Sequence, residues 1–222
     1  MTKPITVWLT PSDPNPWKVR SQLRNYPLTQ LTPPHQVITI DDVKKPPFTN
    51  INPNGRVPVY DTNHHLTYPT LPEKHLLNQY LHFQMSGEDP YYGQCRWFNV
   101  LDPAKIPDAI NRYVKEVHRV LGVLNTILEG RTWLVGEKCT FADLSFVLWN
   151  CQLHMILRMK EGYPKVRDWD GRMVGRESWR KAMVIREGLI RGQGLEVSGM
   201  PKGEGNIVEY EELIAPGEGK MC

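Results

Sequence analysis

The segment 141–159 is apolar on nearly every side, and it constrains the fold of this chain more than any other feature. Its apolar residues include Leu144, Phe146, Val147, Leu148, Trp149, Leu153, Ile156 and Leu157. A helix that is hydrophobic all round is stable only where other elements surround it. Thr140 and Asp143 begin the segment with a Ser/Thr-x-x-acid pattern, which is typical of a helix N-terminal capping box. The sequence therefore predicts the central helix of a bundle.

Helical periodicity extends to both sides of this segment. In residues 108–128, apolar side chains recur at spacings of three and four, which predicts a long amphipathic helix with a wide buried face. Shorter helices are predicted at 166–174 and 177–186. The second half of the chain is therefore predicted to be all-helical.

The first part of the chain has a different texture, with many prolines and only short apolar runs. Residues 5–9 and 36–40 have the pattern of buried strands, and a helix is predicted at 17–25 between them. Residues 57–67 predict a hairpin, with strands at its two ends around a turn-rich tetrapeptide. Residues 72–83 predict a helix that covers the resulting sheet. The order is that of a thioredoxin-like domain, and it also fits other small α/β folds.

The predicted fold class is thus an α/β domain followed by an all-α domain. The thioredoxin-like domain is predicted at 1–85 and the helical-bundle domain at 86–190. Residues 191–222 are rich in glycine and acidic residues, which predicts an extended tail.

Composition argues against several classes of protein. The net charge is +3 over 222 residues, too small to indicate binding to nucleic acid. No stretch reaches the roughly 18 apolar residues that a membrane span needs, and no signal peptide is predicted. The four cysteines form no C-x-x-C pair, so the sequence predicts no metal site and no dithiol centre. Free thiols in a reducing, cytoplasmic environment are the simplest interpretation.

Asn15 is a candidate site residue. It stands before Pro16 and an apolar residue, a pattern typical of a helix N-cap with proline at the first helical position. The simplest interpretation is that Asn15 only caps this helix. The position would also suit a thiolate, because a helix N-terminus carries partial positive charge and free N–H groups.

The Val57-Pro58 bond is a second candidate. A proline directly before a strand is either an edge-strand feature without function or a cis bond that turns the chain sharply. A cis bond would present the backbone N–H and C=O of Val57 to an extended peptide. Such a ligand would pair like an added strand.

Six motifs carry a resemblance to a known family: PNPWKV (14–19), VKKPPF (43–48), NPNGRVP (52–58), FQMSG (83–87), PYYGQ (90–94) and WLVGEKCTFADL (133–144). Together they resemble fungal glutathione S-transferases, in the branch that includes the yeast nitrogen-regulator prion's globular domain. The resemblance spans about residues 5–187, with the motifs in the family's order. It implies the glutathione transferase fold and a homodimer.

The resemblance also implies a glutathione site on the first domain, with glutathione as co-substrate. Asn15 matches the residue whose side chain faces the glutathione sulfur. Val57 and Pro58 match the pair that fixes the cysteinyl backbone. Lys45, or the lysine before it, matches the basic position near the glycine carboxylate, and Arg56 lies in the matching motif.

One motif departs from the family pattern. Family members read Trp-Glu-Ser-Gly-Ala-Ile at the start of the helix after the hairpin, where the Glu-Ser pair grips the γ-glutamyl group. Counted back from residues 80–81, Glu73 matches the acid and Lys74 replaces the serine. The lysine would still neutralise the γ-glutamyl carboxylate, while the lost hydroxyl is worth about 1 kcal/mol of hydrogen bonding.

A pocket for the second substrate is predicted beside the aromatic residues of segment 91–98. Tyr91, Tyr92 and Trp97 either line this acceptor pocket or form core between the domains. The predicted partners are glutathione and a hydrophobic electrophilic small molecule.

The sequence therefore predicts a glutathione S-transferase in which Asn15 stabilises the glutathione thiolate for attack on an electrophile. Two alternatives use the same fold. A glutathione-dependent cis–trans isomerase would add the thiolate to an activated alkene and expel it again. A non-catalytic interaction module would keep the fold without the chemistry, which Lys74 and the polar helix at 17–25 favour.

Overall fold

The computed structural model describes residues 66–157 and 162–195, together with the backbone of two short strands. These strands, β1 (Val7–Leu9) and β2 (His35–Val37), pair in parallel. A parallel pair needs a crossover connection, so the pairing agrees with the predicted βαβ unit. The predicted helix at 17–25, the predicted strand at 57–60 and the predicted tail from residue 196 onward lie outside the described residues.

Helices make up most of the described part of the chain. They are α1 (Leu71–Phe83), α2 (Asp89–Arg96), α3 (Pro107–Ile127), α4 (Phe141–Asn150), α5 (Leu153–Ile156), α6 (Pro164–Val174) and α7 (Glu177–Gly192). The helices predicted from periodicity at 108–128, 166–174 and 177–186 are thus confirmed. The helix predicted at 141–159 is interrupted, because α4 ends at Asn150 and the short α5 follows. At this break the Gln152 side-chain amide donates to the Leu148 carbonyl, a group that a helix end leaves unpaired.

The core is organised around α4, as its composition predicts. Its residues from Ala142 to Asn150 are all buried. The ring of Phe146 lies between Phe83 of α1 and Trp169 of α6, at centroid distances of 5.9 and 5.7 Å. A helix with no exposed face is held in place by neighbours on several sides.

Asp143 ties the start of α4 to two other parts of the bundle. The predicted capping box is present, with the Thr140 N–H and hydroxyl both donating to Asp143 Oδ2, at 2.8 and 2.6 Å. The second oxygen, Oδ1, accepts from the Leu134 N–H and from Trp169 Nε1, each at 2.9 Å. Burial raises the pKa of this carboxyl, and the hydrogen bonds to it act in the opposite direction. One buried carboxylate therefore joins a loop, α4 and α6.

The chain stays helical from Leu71 to Leu101, through two π-helical turns at Gln84–Glu88 and Trp97–Leu101. The first π turn precedes Pro90, which has no N–H to donate and whose ring would crowd a regular helix. At this turn the Asp89 N–H donates to the Gln84 carbonyl five residues back. The wider turn therefore lets the helix continue past a proline, until Asp102 adopts an extended conformation.

Helix α1 forms where it is predicted, and its buried face packs within the helical bundle. Its buried residues Leu77 and Tyr80 belong to the same hydrophobic core as Phe146 and Trp169. The predicted boundary between the domains, at 85/86, falls inside the continuous helical segment that α1 begins. Helix α1 is therefore part of the helical bundle.

Leu66, Thr67 and Tyr68 attach the incoming chain to the bundle, and we call them the entry latch. The Phe141 N–H donates to the Leu66 carbonyl at 2.9 Å, and the Glu137 N–H donates to the Tyr68 hydroxyl at 3.0 Å. The predicted strand at 65–67 is wrong for Leu66 and Thr67, which form a bend. The reason is that Leu66 is buried in the helical core and caps the first turn of α4.

Replacing Gly136 by alanine is expected to destabilise the protein by about 2 kcal/mol or more, because its φ of +59° disfavours a side chain. A Cβ there would also overlap the Tyr68 hydroxyl and lie 2.7 Å from Cζ. Gly130→Ala is the matched control, since Gly130 has a φ of +69° with nothing within 4 Å of a Cβ. Urea unfolding of both variants measures the difference. Equal losses would show that the latch contributes nothing at this point.

Candidate functional site

The predicted site residues divide into two groups. Asn15, Lys45, Arg56, Val57 and Pro58 lie outside the described residues. The predicted residues of the helical segment are Glu73, Lys74, Tyr91, Tyr92 and Trp97, and the structure places each of them. Contacts and burial are described for the second group.

Glu73 and Lys74 lie in the first turn of α1. The Lys74 side chain is exposed, and the Lys74 N–H donates to the Thr70 carbonyl as the helix begins. Glu73 is half-buried, and its Oε2 is buried without a hydrogen-bond partner. The two side chains belong to a helix whose buried face is directed at α4. They do not converge on a common ligand among the described residues.

Tyr92 is buried in the core of the helical bundle. Its side chain is fully buried, and its ring meets Trp149 edge-on at a centroid distance of 6.4 Å. Burial, together with the carboxylates of Glu88 and Asp170, raises the pKa of its hydroxyl well above the ordinary value. The face of α2 that carries Tyr92 is therefore directed at α4.

The other aromatic residues of the segment lie along α3 or on the surface. The Tyr91 ring has the Arg119 guanidinium 5.8 Å from its centroid. Phe98 stacks on Tyr113 with a centroid distance of 5.5 Å and an angle of 4°. Trp97 is 50% exposed, the largest aromatic surface of this segment. Trp97 is thus exposed, whereas Tyr91 and Phe98 are half-buried, and we call these three residues the aromatic strip.

A buried polar cluster surrounds Tyr92 that the sequence analysis did not identify. The Gln84 amide donates to Glu88 Oε2 at 2.9 Å, and Glu88 is fully buried. The Asn150 amide donates to Asp170 Oδ1 at 3.1 Å. The sequence does contain a signal for this cluster. Gln84, Glu88 and Tyr92 follow one another at four-residue spacing, which places them on one face of a helix. Within this cluster, the hydrogen bond between Asn150 and Asp170 joins α4 to α6.

The buried cysteines are not candidates for nucleophilic chemistry. Burial raises the pKa of Cys95 to about 12, and burial is also the main cause that raises the pKa of Cys139 to about 12. Both are therefore thiols at neutral pH, whereas the thiolate is the nucleophile. Among the described residues there is no group of His, Cys, Asp and Glu that could hold a metal ion. No helix in the described part of the chain is long and apolar enough to cross a membrane.

The helical part of the chain matches a known domain. Residues 102–177 match the sequence profile of the glutathione S-transferase C-terminal domain. The chain is also 36% identical to the glutathione S-transferase-like protein tpcF of Aspergillus fumigatus, with 82% of this chain and 96% of that protein covered.

Among the solved structures that resemble this chain, two cover most of it. The glutathione transferase URE2P8 of Phanerochaete chrysosporium, crystallised with oxidized glutathione, is 27% identical with a TM-score of 0.71. The match covers 86% of this chain and 98% of that one. The nitrogen regulation fragment of the yeast prion protein Ure2p is 29% identical with a TM-score of 0.67, over 81% of this chain and 95% of that one. The profile match and these structural similarities together show the glutathione transferase fold. The chain belongs to the glutathione S-transferase family.

The alignment with the Aspergillus protein also reveals positions that this chain lacks. It runs over 221 positions, whereas 82% of the 222 residues of this chain is about 182 residues. The difference, 221 less 182, leaves about 39 alignment positions that face no residue of this chain. In total, therefore, about 39 positions of the alignment are occupied by the relative alone.

Proposed function

We propose that the chain is a glutathione S-transferase that activates the glutathione thiol for attack on a hydrophobic electrophile. The observation that carries this proposal is the 36% identity to a glutathione S-transferase-like protein over most of both chains. The similarity to a transferase crystallised with oxidized glutathione supports glutathione as the co-substrate. The proposal includes a homodimer and a cytoplasmic location.

The proposed chemistry depends on lowering the pKa of the bound thiol. A free cysteine thiol has a pKa of about 8.5, so only a few per cent is thiolate at neutral pH. Asn15 is proposed to donate to the sulfur, beside the N-terminus of the helix that it caps. Val57 and Pro58 are proposed to hold the cysteinyl backbone as an added strand, with Lys45 and Arg56 near the glycine end.

The aromatic strip is the proposed binding surface for the electrophile. Trp97 offers an exposed ring, and the half-buried rings of Tyr91 and Phe98 belong to the same helical segment. Pockets for small apolar molecules are typically lined by aromatic side chains of this kind. A net adduct detected by mass spectrometry identifies a transferase, whereas a product of unchanged mass identifies an isomerase.

Substitution of Asn15 by alanine tests the thiolate role. We expect the pKa of bound glutathione, followed by the ultraviolet absorbance of the thiolate, to rise by about 1 unit. Turnover near neutral pH should then fall roughly tenfold, while glutathione affinity in calorimetry changes less than threefold. Asn111→Ala, in an exposed asparagine of α3, is the control. An unchanged thiol pKa would remove Asn15 from the mechanism, and no glutathione binding at several millimolar would remove the transferase itself.

A non-catalytic interaction module is the second candidate, and one observation favours it. Lys74 stands where the family pattern has a serine, and its side chain is exposed. The similar Ure2p structure is that of a nitrogen regulation fragment, which shows that a fold of this kind serves regulation in another protein. Absence of glutathione binding in the same calorimetric titration would favour this candidate.

A further inference from the structure

We propose that the buried polar cluster around Tyr92 is a binding site for one ordered water molecule, held between the Tyr92 hydroxyl and Oδ1 of Asn150. The site lies inside the helical bundle, where α2, α4 and α6 meet. It concerns neither glutathione nor an electrophile, so the proposal stands independently of the proposed function.

The Tyr92 hydroxyl is a buried polar group that the described residues leave without a hydrogen-bond partner. The side chain has no solvent exposure, so bulk water does not reach the hydroxyl either. Nearly all buried polar groups of native proteins are paired, with protein or with an ordered water. The hydroxyl therefore calls for a partner that is neither a side chain nor bulk solvent.

Asn150 supplies a second group of this kind on the facing helix. Its amide nitrogen donates to Asp170 Oδ1 at 3.1 Å, whereas its own Oδ1 is buried and accepts no hydrogen bond from the described part of the chain. Asn150 follows Trp149, whose ring the Tyr92 ring meets edge-on. A donor on α2 and an acceptor on α4 thus lie in one buried region without bonding each other directly. A polar gap of this kind is commonly bridged by water.

Two carboxylates define the electrostatics of the region. Glu88 is fully buried one turn before Tyr92, and Asp170 lies across from it on α6. Burial is the main cause that raises the pKa of Tyr92, and both carboxylates add to the rise. The hydroxyl therefore keeps its proton at neutral pH and is available as a donor. Each carboxylate has about four lone-pair sites, so the region also offers acceptors.

Water fits this set of donors and acceptors. It accepts from the Tyr92 hydroxyl, donates one hydrogen to Asn150 Oδ1, and donates the other to a neighbouring carboxylate. The total of three hydrogen bonds is typical of a buried water. A cation offers no acceptor for the Tyr92 proton, and the described residues contain no group of His, Cys, Asp and Glu that could hold a metal ion. The bound water joins α2 to α4, and the bond from Asn150 to Asp170 continues the connection to α6.

Substitution of Tyr92 by phenylalanine tests the site through the sign of its effect. If the hydroxyl is bonded to water, its removal loses one hydrogen bond, and the equilibrium constant for unfolding should rise about fivefold. If the hydroxyl has no partner, its removal relieves an unsatisfied buried group, and the constant should fall. Tyr113→Phe, at a half-buried tyrosine of α3, is the control and should change the constant less than about twofold. A fall in Tyr92→Phe, or a change no larger than in the control, would overturn the proposal.

A crystal structure of the full wild-type chain identifies the ligand without depending on the stability of a variant. We expect a single density peak within hydrogen-bond distance of the Tyr92 hydroxyl and Asn150 Oδ1. Crystals soaked in rubidium chloride should show no anomalous signal at this position. Absence of the peak would leave the cluster dry, and a rubidium signal would make it a site for a monovalent cation. Either result would overturn the proposal.

Discussion

Replacement of Asp143 by alanine is expected to lower the free energy of unfolding by about 4 kcal/mol. The carboxylate accepts four hydrogen bonds, from the Thr140 N–H and hydroxyl, the Leu134 N–H and Trp169 Nε1. Removal of the carboxylate leaves these donors in a buried environment without an acceptor. The loss of one partner from a buried polar network costs roughly 3–5 kcal/mol. The loss should appear as a lower midpoint in urea unfolding followed by circular dichroism.

Asp168→Ala is the matched control for this variant. Asp168 lies on the same helix as Trp169, but its side chain is exposed and its ion pair with Arg167 spans 3.8 Å. Exposed pairs of this kind contribute about 0–1 kcal/mol. Asp143→Asn should fall between the two, because it keeps one oxygen. A loss below about 1 kcal/mol for Asp143→Ala would mean that water replaces the carboxylate, contrary to the buried network described here.

Replacement of Phe146 by alanine is expected to cost about 4 kcal/mol as well, through a cavity rather than through hydrogen bonds. Phe146 is fully buried between Phe83 and Trp169, so α1 and α6 both lose a packing partner. The two neighbours belong to different helices, and they cannot both move into the vacated volume without breaking other core contacts. Thermal and urea unfolding measure the loss.

The control for Phe146 is Val184→Ala. Val184 is 69% exposed on α7, and its truncation should change the free energy of unfolding by less than about 0.5 kcal/mol. If Phe146→Ala lost no more than this control, the ring would not be a structural partner of α1. That result would also remove one of the supports for assigning α1 to the bundle.

The helices of the bundle were predictable because their signals are local. Apolar residues at spacings of three and four define α3, and Thr140 and Asp143 define the start of α4. These patterns depend on neighbours within one or two turns, which the sequence displays directly.

The partner of α1 was not predictable in the same way. A helix that covers a sheet and a helix that joins a bundle both need one apolar stripe, so Leu77 and Tyr80 fit either role. The stripe predicts that a helix buries a face, and it does not predict what lies against that face. Counting from the family motif assigns Glu73 and Lys74 to a site without showing which face of α1 is buried.

The aromatic residues show a second limit. Tyr92 and Trp97 are of similar chemical type and five residues apart, yet one is fully buried and the other half exposed. Five residues of an α-helix turn through about 500°, which places the two rings on nearly opposite faces. The sequence shows this separation, but aromatic rings on both faces do not indicate which face is buried.

The entry latch makes position 66 a natural junction for the exchange of domains. Leu66 and Tyr68 obtain their anchoring contacts from the segment 136–141, all of it on the C-terminal side. What precedes the latch can therefore shorten, lengthen or be replaced during evolution while the bundle keeps its own contacts. Loss of a whole segment from the first domain would then leave a protein whose second half still folds, and natural selection could retain such a chain for a different task.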